Sequence, residues 1–243
     1  MITLKNICKA FGSFSVLRGV SLTIQPERIR VILGLSGSGK SVLLKHIIGL
    51  LKPDSGNVIV DELNVETLAE KDMRTLRHRF GMVFQQNALF DSMSVYDNVA
   101  FPLREHRSFK EKDIHTKVFE KLSLLNLSES AFKYPAELSG GMRKRVALAR
   151  AIILNPQCVL YDEPTTGLDP ISTRNVEDMI LQAKQTWHVT SVLISHDIGS
   201  ALRIADDIAV LHEGSIVADC TPLELLKHPH PFVQQFLQAW HNT

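Results

Sequence analysis

Two short segments rich in serine and glycine could each bind a phosphate group. The first runs from Gly34 to Ser41, and the second from Leu138 to Met142. Glycines at the start of a helix leave backbone N–H groups free, and the positive end of the helix dipole attracts an anion. One small chain with two such segments suggests two nucleotides, each shared between two copies of the protein.

The first segment is the more complete phosphate loop. Gly34, Gly39, Lys40 and Ser41 match the P-loop pattern at every fixed position. In this pattern the lysine reaches the β- and γ-phosphates, and the serine hydroxyl binds Mg²⁺. An apolar run precedes the loop and a helical spacing of leucine and isoleucine follows it, so we set aside the alternative of a chance glycine turn.

A second apolar run, Cys158 to Tyr161, ends in the carboxylates Asp162 and Glu163. At the carboxyl edge of a sheet, beside a phosphate loop, Asp162 can hold Mg²⁺. Successive side chains of a strand point in opposite directions, so Glu163 can face the attacking water and act as a base. The alternative is a pair of surface carboxylates without function.

Three further residues are candidates because of their positions. Gln85 and His196 each follow an apolar strand, so Gln85 could contact both Mg²⁺ and the water, and His196 could hydrogen-bond the γ-phosphate. Their structural alternatives are an ordinary loop glutamine and a capped histidine. Phe11 could stack on adenine, although Phe14 is close to it and either ring could belong to the core.

Composition excludes several classes of partner. There are 27 Lys and Arg residues against 26 Asp and Glu, so the net charge of +1 gives no electrostatic case for nucleic acid. Three separated cysteines indicate neither a disulfide framework nor a metal site, which fits a reducing cytoplasm. We find no secretion signal after Met1 and no apolar stretch of roughly 20 residues, so we expect any membrane role to depend on a partner.

The patterns predict an α/β fold. Alternation predicts antiparallel strands at Val20–Ile24 and Asn57–Val60. Continuous apolar runs predict a buried parallel sheet, with strands at Val31–Leu33, Gly81–Phe84, Val159–Tyr161 and Val189–Ile194.

Helical patterns occupy other parts of the chain. Residues 87–153 lack long strand signals and predict an inserted helical subdomain, and residues 171–185 predict a crossover helix. A hairpin over 208–218 is followed by a C-terminal helical extension over 221–243, opened by a capping box at Thr221 and Glu224. We expect the final helix to pack on its own domain, with a dimer or partner contact as the alternative.

These residues, in this order, resemble the ATP-binding cassette (ABC) ATPase family over essentially the whole chain. The P-loop is similar to its Walker A motif, and Cys158–Glu163 to its Walker B motif. Gln85 matches the Q-loop glutamine and His196 the switch histidine. The D-loop corresponds to Gly167–Asp169 and the ABC signature to Leu138–Met142, where Met142 replaces the usual glutamine.

The resemblance implies a fold, cofactors and site residues. The fold would be the P-loop NTPase fold of ABC ATPases in a single domain over 1–243, with a RecA-like parallel core, an N-terminal antiparallel β subdomain and the helical insertion. The cofactors would be ATP and Mg²⁺, with Glu163, His196 and Gln85 catalytic and Ser41, Gln85 and Asp162 holding the metal. The implied nucleotide-binding residues are Phe11, Gly34, Leu35, Ser36, Gly37, Ser38, Gly39, Lys40, Ser41, Val42, Ser139, Gly140, Gly141 and Asp169.

Some motifs resemble one branch of the family, the ATPases of Mla-type and Mce-associated phospholipid transporters. They are Met142, Ala88–Asp91, Asp97–His106 and Gly167–Pro170. This branch implies a homodimer formed on ATP binding, a separate integral-membrane permease, an MCE-type lipid-binding subunit and a small cytoplasmic accessory subunit. It would place the chain on the cytoplasmic face of the inner membrane, held there by its permease.

Two alternatives remain open at this point. The chain could energise an importer of small solutes such as amino acids, because substrate contacts would lie in other subunits. It could also be a non-transport ABC ATPase that acts in the cytosol as a regulatory or assembly module.

Overall fold

The computed structural model describes residues 1–105 and 109–241. The strands of this part, in chain order, are β1 (Ile2–Phe11), β2 (Phe14–Ile24), β3 (Ile29–Leu33), β4 (Ser55–Val60), β5 (Leu63–Asn64), β6 (Phe80–Val83), β7 (Cys158–Asp162), β8 (Thr190–Ser195), β9 (Asp207–His212) and β10 (Ser215–Cys220). The α-helices are α1 (Lys40–Ile47), α2 (Glu70–Arg77), α3 (Val95–Glu105), α4 (Glu111–Leu124), α5 (Gly140–Ile152), α6 (Pro170–Trp187), α7 (Ile198–Ile204), α8 (Pro222–Leu225) and α9 (Pro231–His241).

The larger sheet has six strands in the order β10-β9-β3-β8-β7-β6. Strands β9, β3, β8, β7 and β6 pair in parallel, and β10 joins them antiparallel to β9. The predicted parallel core is therefore confirmed. Its strands extend one or two residues beyond the predicted runs at several ends, as at β3, which begins at Ile29.

Both faces of this sheet are covered, which explains the continuous apolar runs. Along β3, Ile32 packs toward α1 and the smaller sheet, whereas Val31 and Leu33 pack with the helices of the other face. All three side chains are at most 1% exposed. The loop after β3 therefore starts from a strand that cannot shift without opening the core.

The smaller sheet is antiparallel, in the order β2-β1-β4-β5. Near the start of β4, Gly56 has a φ of 92°. A Cβ atom at this position would lie 2.3 Å from the Asn6 carbonyl oxygen of β1. Only glycine meets both requirements.

Helices α3, α4 and α5 lie within the predicted helical region. The buried Asn98 side chain holds the loop before α3, because its amide donates to the carbonyl oxygens of Phe90 and Met93 at 3.1 Å. The boundaries 87–153 of a subdomain remain a prediction. His106, at the end of the motif that begins at Asp97, lies outside the described residues.

The C-terminal helices pack on the larger sheet. The predicted capping box is confirmed, because Thr221 N–H donates to the Glu224 carboxylate at 2.8 Å and Glu224 N–H donates to the Thr221 hydroxyl at 3.4 Å. In α9, Phe232 stacks on His212 with ring centroids 3.6 Å apart. Helix α9 thus covers its own chain at the end of β9. The last two residues of the predicted extension, 242 and 243, are outside the described residues.

Membrane-crossing helices are absent from residues 1–105 and 109–241: each helix there is too short or too polar to span a bilayer.

Gly81 in β6 allows the close approach of α5. A Cβ atom on Gly81 would lie 2.4 Å from the Ala151 carbonyl oxygen, which is backbone and cannot swing away. We expect Gly81→Ala to lower the free energy of unfolding by about 1–3 kcal/mol, the typical cost of overpacking a core. Chemical denaturation measures this loss.

Gly140→Ala is the matched control for that substitution. A Cβ atom on Gly140 would have its nearest neighbour, a Leu168 methyl carbon, at 3.6 Å, an ordinary contact. Equal stability of the two variants would contradict the close packing of β6 against α5.

Candidate nucleotide-binding site

The phosphate loop, residues 34–39, connects β3 to the N-terminus of α1. Gly37 and Gly39 have φ values of 79° and 102°, in the region that favours glycine. A Cβ atom on Gly34 would lie 2.5 Å from the Leu211 carbonyl oxygen of β9. The loop is therefore shaped by glycine and fixed against the neighbouring strand.

Lys40 closes this loop from within. Its ammonium donates to the carbonyl oxygens of Gly34 at 2.8 Å and Leu35 at 2.9 Å. Burial lowers the pKa of Lys40 below its ordinary value, while the nearby Glu163 carboxylate acts in the opposite direction. The ammonium is thus a partly desolvated cation at the mouth of the loop, where phosphate oxygens would bind it strongly.

The remaining loop residues differ in exposure. Leu35, Ser36 and Gly37 are exposed. Ser38 directs a buried hydroxyl into the loop, and this hydroxyl has no hydrogen-bond partner among the described residues. An unpaired buried hydroxyl is costly, and an oxyanion in the loop would satisfy it. Val42, in the first turn of α1, uses its carbonyl to contact the His46 ring at 2.7 Å.

Ser41 and Asp162 meet beside the loop. The Ser41 hydroxyl donates to Asp162 Oδ1 at 3.2 Å. Burial raises the pKa of Asp162, and the hydrogen bond from Ser41 acts against this rise. A hydroxyl and a single carboxylate next to a phosphate site are the oxygen donors that Mg²⁺ uses with nucleotides. These two residues therefore fit the predicted metal ion.

Glu163 is the point where the predicted catalytic residues come together. His196 Nδ1 and the Gln85 amide nitrogen each lie 3.4 Å from Glu163 Oε2, and the Lys40 ammonium lies 3.7 Å from Oε1. The Thr166 hydroxyl donates to Oε2 at 2.9 Å. Three segments distant in the sequence thus converge on one carboxylate, and Thr166 of its own loop joins them.

The backbone of Glu163 is unusual. Its φ of 47° lies in the left-handed region, which costs a non-glycine residue about 1–2 kcal/mol. Its N–H donates to the Ile194 carbonyl oxygen of β8 at 3.1 Å. Non-glycine residues in this conformation cluster at functional sites, where the surrounding structure holds them. Here the neighbouring strand holds Glu163.

Gln85 contacts Glu163 rather than the pair of Ser41 and Asp162. Gln85 and Asp162 nevertheless line one cavity of about 620 Å³, together with Pro135 and Arg143. Gln85 contacts the Glu163 carboxylate and also lines this cavity. Its position is therefore compatible with both predicted contacts, one to Mg²⁺ and one to the attacking water.

Two basic residues of α5 hold the segment after Gln85, and sequence analysis missed both roles. The buried Lys144 ammonium donates to the Gln85 carbonyl oxygen at 2.7 Å. The Arg150 guanidinium donates to the carbonyl oxygens of Ala88 at 2.7 Å and Asn87 at 2.9 Å. Burial lowers the pKa of both Lys144 and Arg150. For Arg150, the sequence signal was a charged residue within the apolar end of α5. Sequence analysis also missed the contact of Thr166 with Glu163, for which no sequence pattern gave a signal.

The second serine and glycine segment caps α5. The Ser139 hydroxyl accepts the Met142 N–H at 3.2 Å, and Ser139 is exposed. Within residues 1–105 and 109–241, no hydrogen bond joins Ser139, Gly140 or Gly141 to the phosphate loop. Met142 is half-buried against the core under the helices, which gives a packing reason for an apolar residue at this position.

Phe11 and Phe14 form the end of the β1–β2 hairpin, and neither ring belongs to the core, since they are 50% and 65% exposed. The Lys9 ammonium lies 5.7 Å from the centre of the Phe11 ring. Phe14, rather than Phe11, lines a cavity of about 470 Å³ beside loop residues 35–38. Adenine stacking by Phe11 remains a prediction.

Asp169 begins α6, and its carboxylate accepts the N–H groups of Ile171 at 3.0 Å and Ser172 at 2.9 Å. Its hydrogen bonds to Ser172 lower the pKa of Asp169. In this structure the carboxylate is an N-cap, and nucleotide contact by Asp169 remains a prediction.

Comparison with known proteins identifies the family. A family model described as "ABC transporter" matches residues 17–166. The probable ribonucleotide transport ATP-binding protein mkl of Mycobacterium tuberculosis is 42% identical over 98% of this chain, which spans 66% of that relative. The intermembrane phospholipid transport system ATP-binding protein MlaF of Escherichia coli is 38% identical, over 98% of this chain and 89% of MlaF.

Solved structures of ABC transporter proteins have the same fold as this chain. CbiO1 from Clostridium perfringens, part of an ABC transporter complex, superposes with a TM-score of 0.87 at 26% identity, over 98% of each chain. The dimeric structure of MJ0796, described as a bacterial ABC transporter cassette, has a TM-score of 0.83 at 31% identity, over 91% of this chain and 99% of that one. The predicted α/β cassette fold is confirmed, and the chain belongs to the ABC transporter family.

Proposed function

We propose that this chain is the ATP-binding and ATP-hydrolysing subunit of a phospholipid transporter, and that it works as a homodimer on a separate membrane permease. The convergence of Lys40, Gln85 and His196 on the Glu163 carboxylate is the observation that carries the ATPase function. The resemblance to MlaF supports the phospholipid cargo.

ATP would bind first through the phosphate loop. The Lys40 ammonium would exchange its hydrogen bonds to the loop carbonyls for bonds to phosphate oxygens, and the Ser38 hydroxyl would gain the partner that it lacks. Phe11, exposed at the end of β1, would stack on the adenine ring. These contacts fix the nucleotide and leave its γ-phosphate beside Glu163.

Hydrolysis would depend on the environment of Glu163. When bound by Ser41, Asp162 and Gln85, Mg²⁺ would neutralise charge on the phosphates. Glu163 would orient the attacking water and accept its proton, while the Thr166 hydroxyl fixes the carboxylate. His196, which like Thr166 lies near the Oε2 atom of Glu163, would donate a hydrogen bond to the γ-phosphate.

The exposed Ser139 segment would complete the site of a second copy. Its helix N-terminus is suited to a phosphate but makes no hydrogen bond to its own phosphate loop among the described residues. A head-to-tail pair would bring Ser139 and Gly141 of one copy to the γ-phosphate bound by the other, with Asp169 near the same interface. A structure of MJ0796 with ADP and phosphate is likewise described as dimeric.

An apolar groove beside Gln85 would receive the permease. Phe84, Phe90, Phe101 and Pro102 line this groove of about 470 Å³. Phe84 and Phe90 are 39% and 41% exposed, although they are large and apolar. Such a groove suits an apolar helix of a partner, and its contact with the Gln85 loop would pass the effect of ATP hydrolysis to the membrane. The chain would thus be peripheral on the cytoplasmic face of the inner membrane.

The cargo has a second candidate, because the mycobacterial relative is named for ribonucleotide transport. This name favours a small-solute importer, the alternative that the sequence left open. In either case the cargo would be bound by other subunits, so the two candidates differ in the subunits and molecules that bind with this chain.

Replacement of Glu163 tests the ATPase mechanism. Glu163→Gln keeps the size of the side chain but removes the proton acceptor. We expect hydrolysis to fall by about 10²–10⁴-fold with ATP binding retained and the dimer trapped. Phosphate release and nucleotide titration measure the two effects. Glu129→Gln, at an exposed site in the helical region, is the control, and near-normal hydrolysis by Glu163→Gln would overturn the proposed role.

Mixed dimers test whether each site is shared. Ser139→Arg should block the contact to the partner's phosphate, and Lys40→Ala should abolish ATP binding in its own loop. A dimer with one subunit of each kind retains one intact composite site, so we expect hydrolysis in the mixture but not in either variant alone. Two differently tagged copies allow the mixed dimer to be isolated. Absence of hydrolysis in it would contradict head-to-tail sharing.

Purification from the native membrane tests transport and cargo. We expect the chain to be recovered with an integral-membrane permease, an MCE-type subunit, a small accessory subunit and bound phospholipid, identified by mass spectrometry. Recovery with a permease but with bound nucleotides or amino acids would favour the small-solute importer. Recovery only in soluble complexes would favour a non-transport ABC ATPase.

A further inference from the structure

We infer that Glu177, a buried carboxylate of α6, is a positioning residue for His196. This inference rests on the proposed function, in which His196 acts on the γ-phosphate. Helix α6 would thereby fix the turn between β8 and α7, where His196 lies. Glu177 lies within α6, outside the nucleotide-binding motifs.

The His196 ring needs support from its backbone. Its side chain is 51% exposed, and its Nδ1 atom lies 3.4 Å from Glu163 Oε2. A half-exposed ring with one long contact is weakly held by its own packing. The direction in which His196 points is therefore set chiefly by the turn that carries it.

Asp197 fixes that turn. Its N–H donates to the Ser195 hydroxyl at 3.0 Å. Its carboxylate caps α7 and accepts the Ser200 N–H at 3.2 Å, and its second oxygen lies 2.8 Å from the Ser200 hydroxyl. Ser200 thus holds the residue next to His196 through its backbone, and its hydroxyl is within reach of the same carboxylate.

Glu177 holds Ser200 from the other side. It is 3% exposed, and its Oε1 atom accepts the Ser200 hydroxyl at 2.5 Å. Its Oε2 atom accepts from the Arg203 guanidinium at 2.5 Å, so the buried charge is paired. Two residues of α7 are thereby tied to α6, and α7 begins immediately after the turn that carries His196.

The Ser200 hydroxyl has one proton and two carboxylate acceptors. It can donate to Asp197 or to Glu177, but not to both at once. With the hydroxyl donated to Glu177, Asp197 still accepts the Ser200 N–H, so the turn is fixed in either arrangement. Loss of the Glu177 carboxylate would leave the Arg203 bond to Asp178 as the remaining of these ties to α6. The tie through Ser200, which lies nearest to the His196 turn, would be lost.

Asp178 offers a matched control. It is next to Glu177 and also accepts from the Arg203 guanidinium, at 2.5 Å. Its side chain is 61% exposed, and no hydrogen bond joins it to Ser200. Glu177→Ala and Asp178→Ala therefore each remove a carboxylate from Arg203, and only the first removes the support of Ser200.

Steady-state hydrolysis by the purified full complex is the first measurement. We expect Glu177→Ala to lower kcat about 10-fold with the KM for ATP unchanged, because the phosphate loop is untouched. Glu177→Gln, which keeps an oxygen acceptor for Ser200, should restore most of this loss. Asp178→Ala should leave both parameters unchanged. A rise in KM for Glu177→Ala, or an equal loss for Asp178→Ala, would overturn the inference.

Hydrogen exchange separates positioning from general stability. We expect Glu177→Ala to speed amide exchange over residues 195–201, with exchange over the phosphate loop unchanged. Uniformly faster exchange in both segments would indicate a merely structural role and overturn the inference.

A double-mutant cycle with His196→Ala distinguishes this inference from the proposed function. In single-turnover assays, Glu177→Ala should add little to the loss caused by His196→Ala, because both act through the same ring. Full additivity would overturn the inference alone. Normal hydrolysis by His196→Ala would instead remove the proposed role of His196, and the inference with it.

Discussion

The parallel pairing of β3, β7 and β8 is the constraint on which the site depends. The register pairs Leu33 with Ser195 and Asp162 with Ile194, so the three strands end at nearly the same level. All three run in one direction, and each is buried. The residues that follow them must therefore emerge at one edge of the sheet. Three segments meet at this edge: the phosphate loop, the Glu163 turn and the His196 turn. The strand pairing alone brings them together, so no contact between the segments is required.

This constraint explains which parts of the site could be predicted from sequence. Lys40, Asp162 and His196 lie at or shortly after the ends of recognisable strands, so a local sequence pattern predicts their places. Strand β1 was harder to recognise, because irregularities after Leu4 and after Lys9 interrupt its alternation. The roles of Lys144, Thr166 and Glu177 depend on how helices and loops approach one another, and no local spacing encodes such an approach.

The Ser139 hydroxyl caps a helix and still has a proton to donate to another group. As an acceptor it takes the Met142 N–H, which typically stabilises a helix start by about 1 kcal/mol. The hydroxyl proton is not used in that bond, so it remains available for a phosphate oxygen. The cap also fixes the side chain in place before any partner arrives. Binding across a dimer would then cost little ordering of this residue.

The turn that carries Glu163 is joined by a hydrogen bond to β8, the strand that leads to His196. The Glu163 N–H donates to the Ile194 carbonyl oxygen, so the residue with the strained φ is bonded to the strand that carries His196. Glu163 and His196 thus belong to one rigid edge of the sheet. Gln85 approaches the same carboxylate but is held from outside the sheet, by Lys144 of α5. In the proposed function, this different anchoring would suit the Gln85 loop, next to the apolar groove, to pass the state of the nucleotide to a partner.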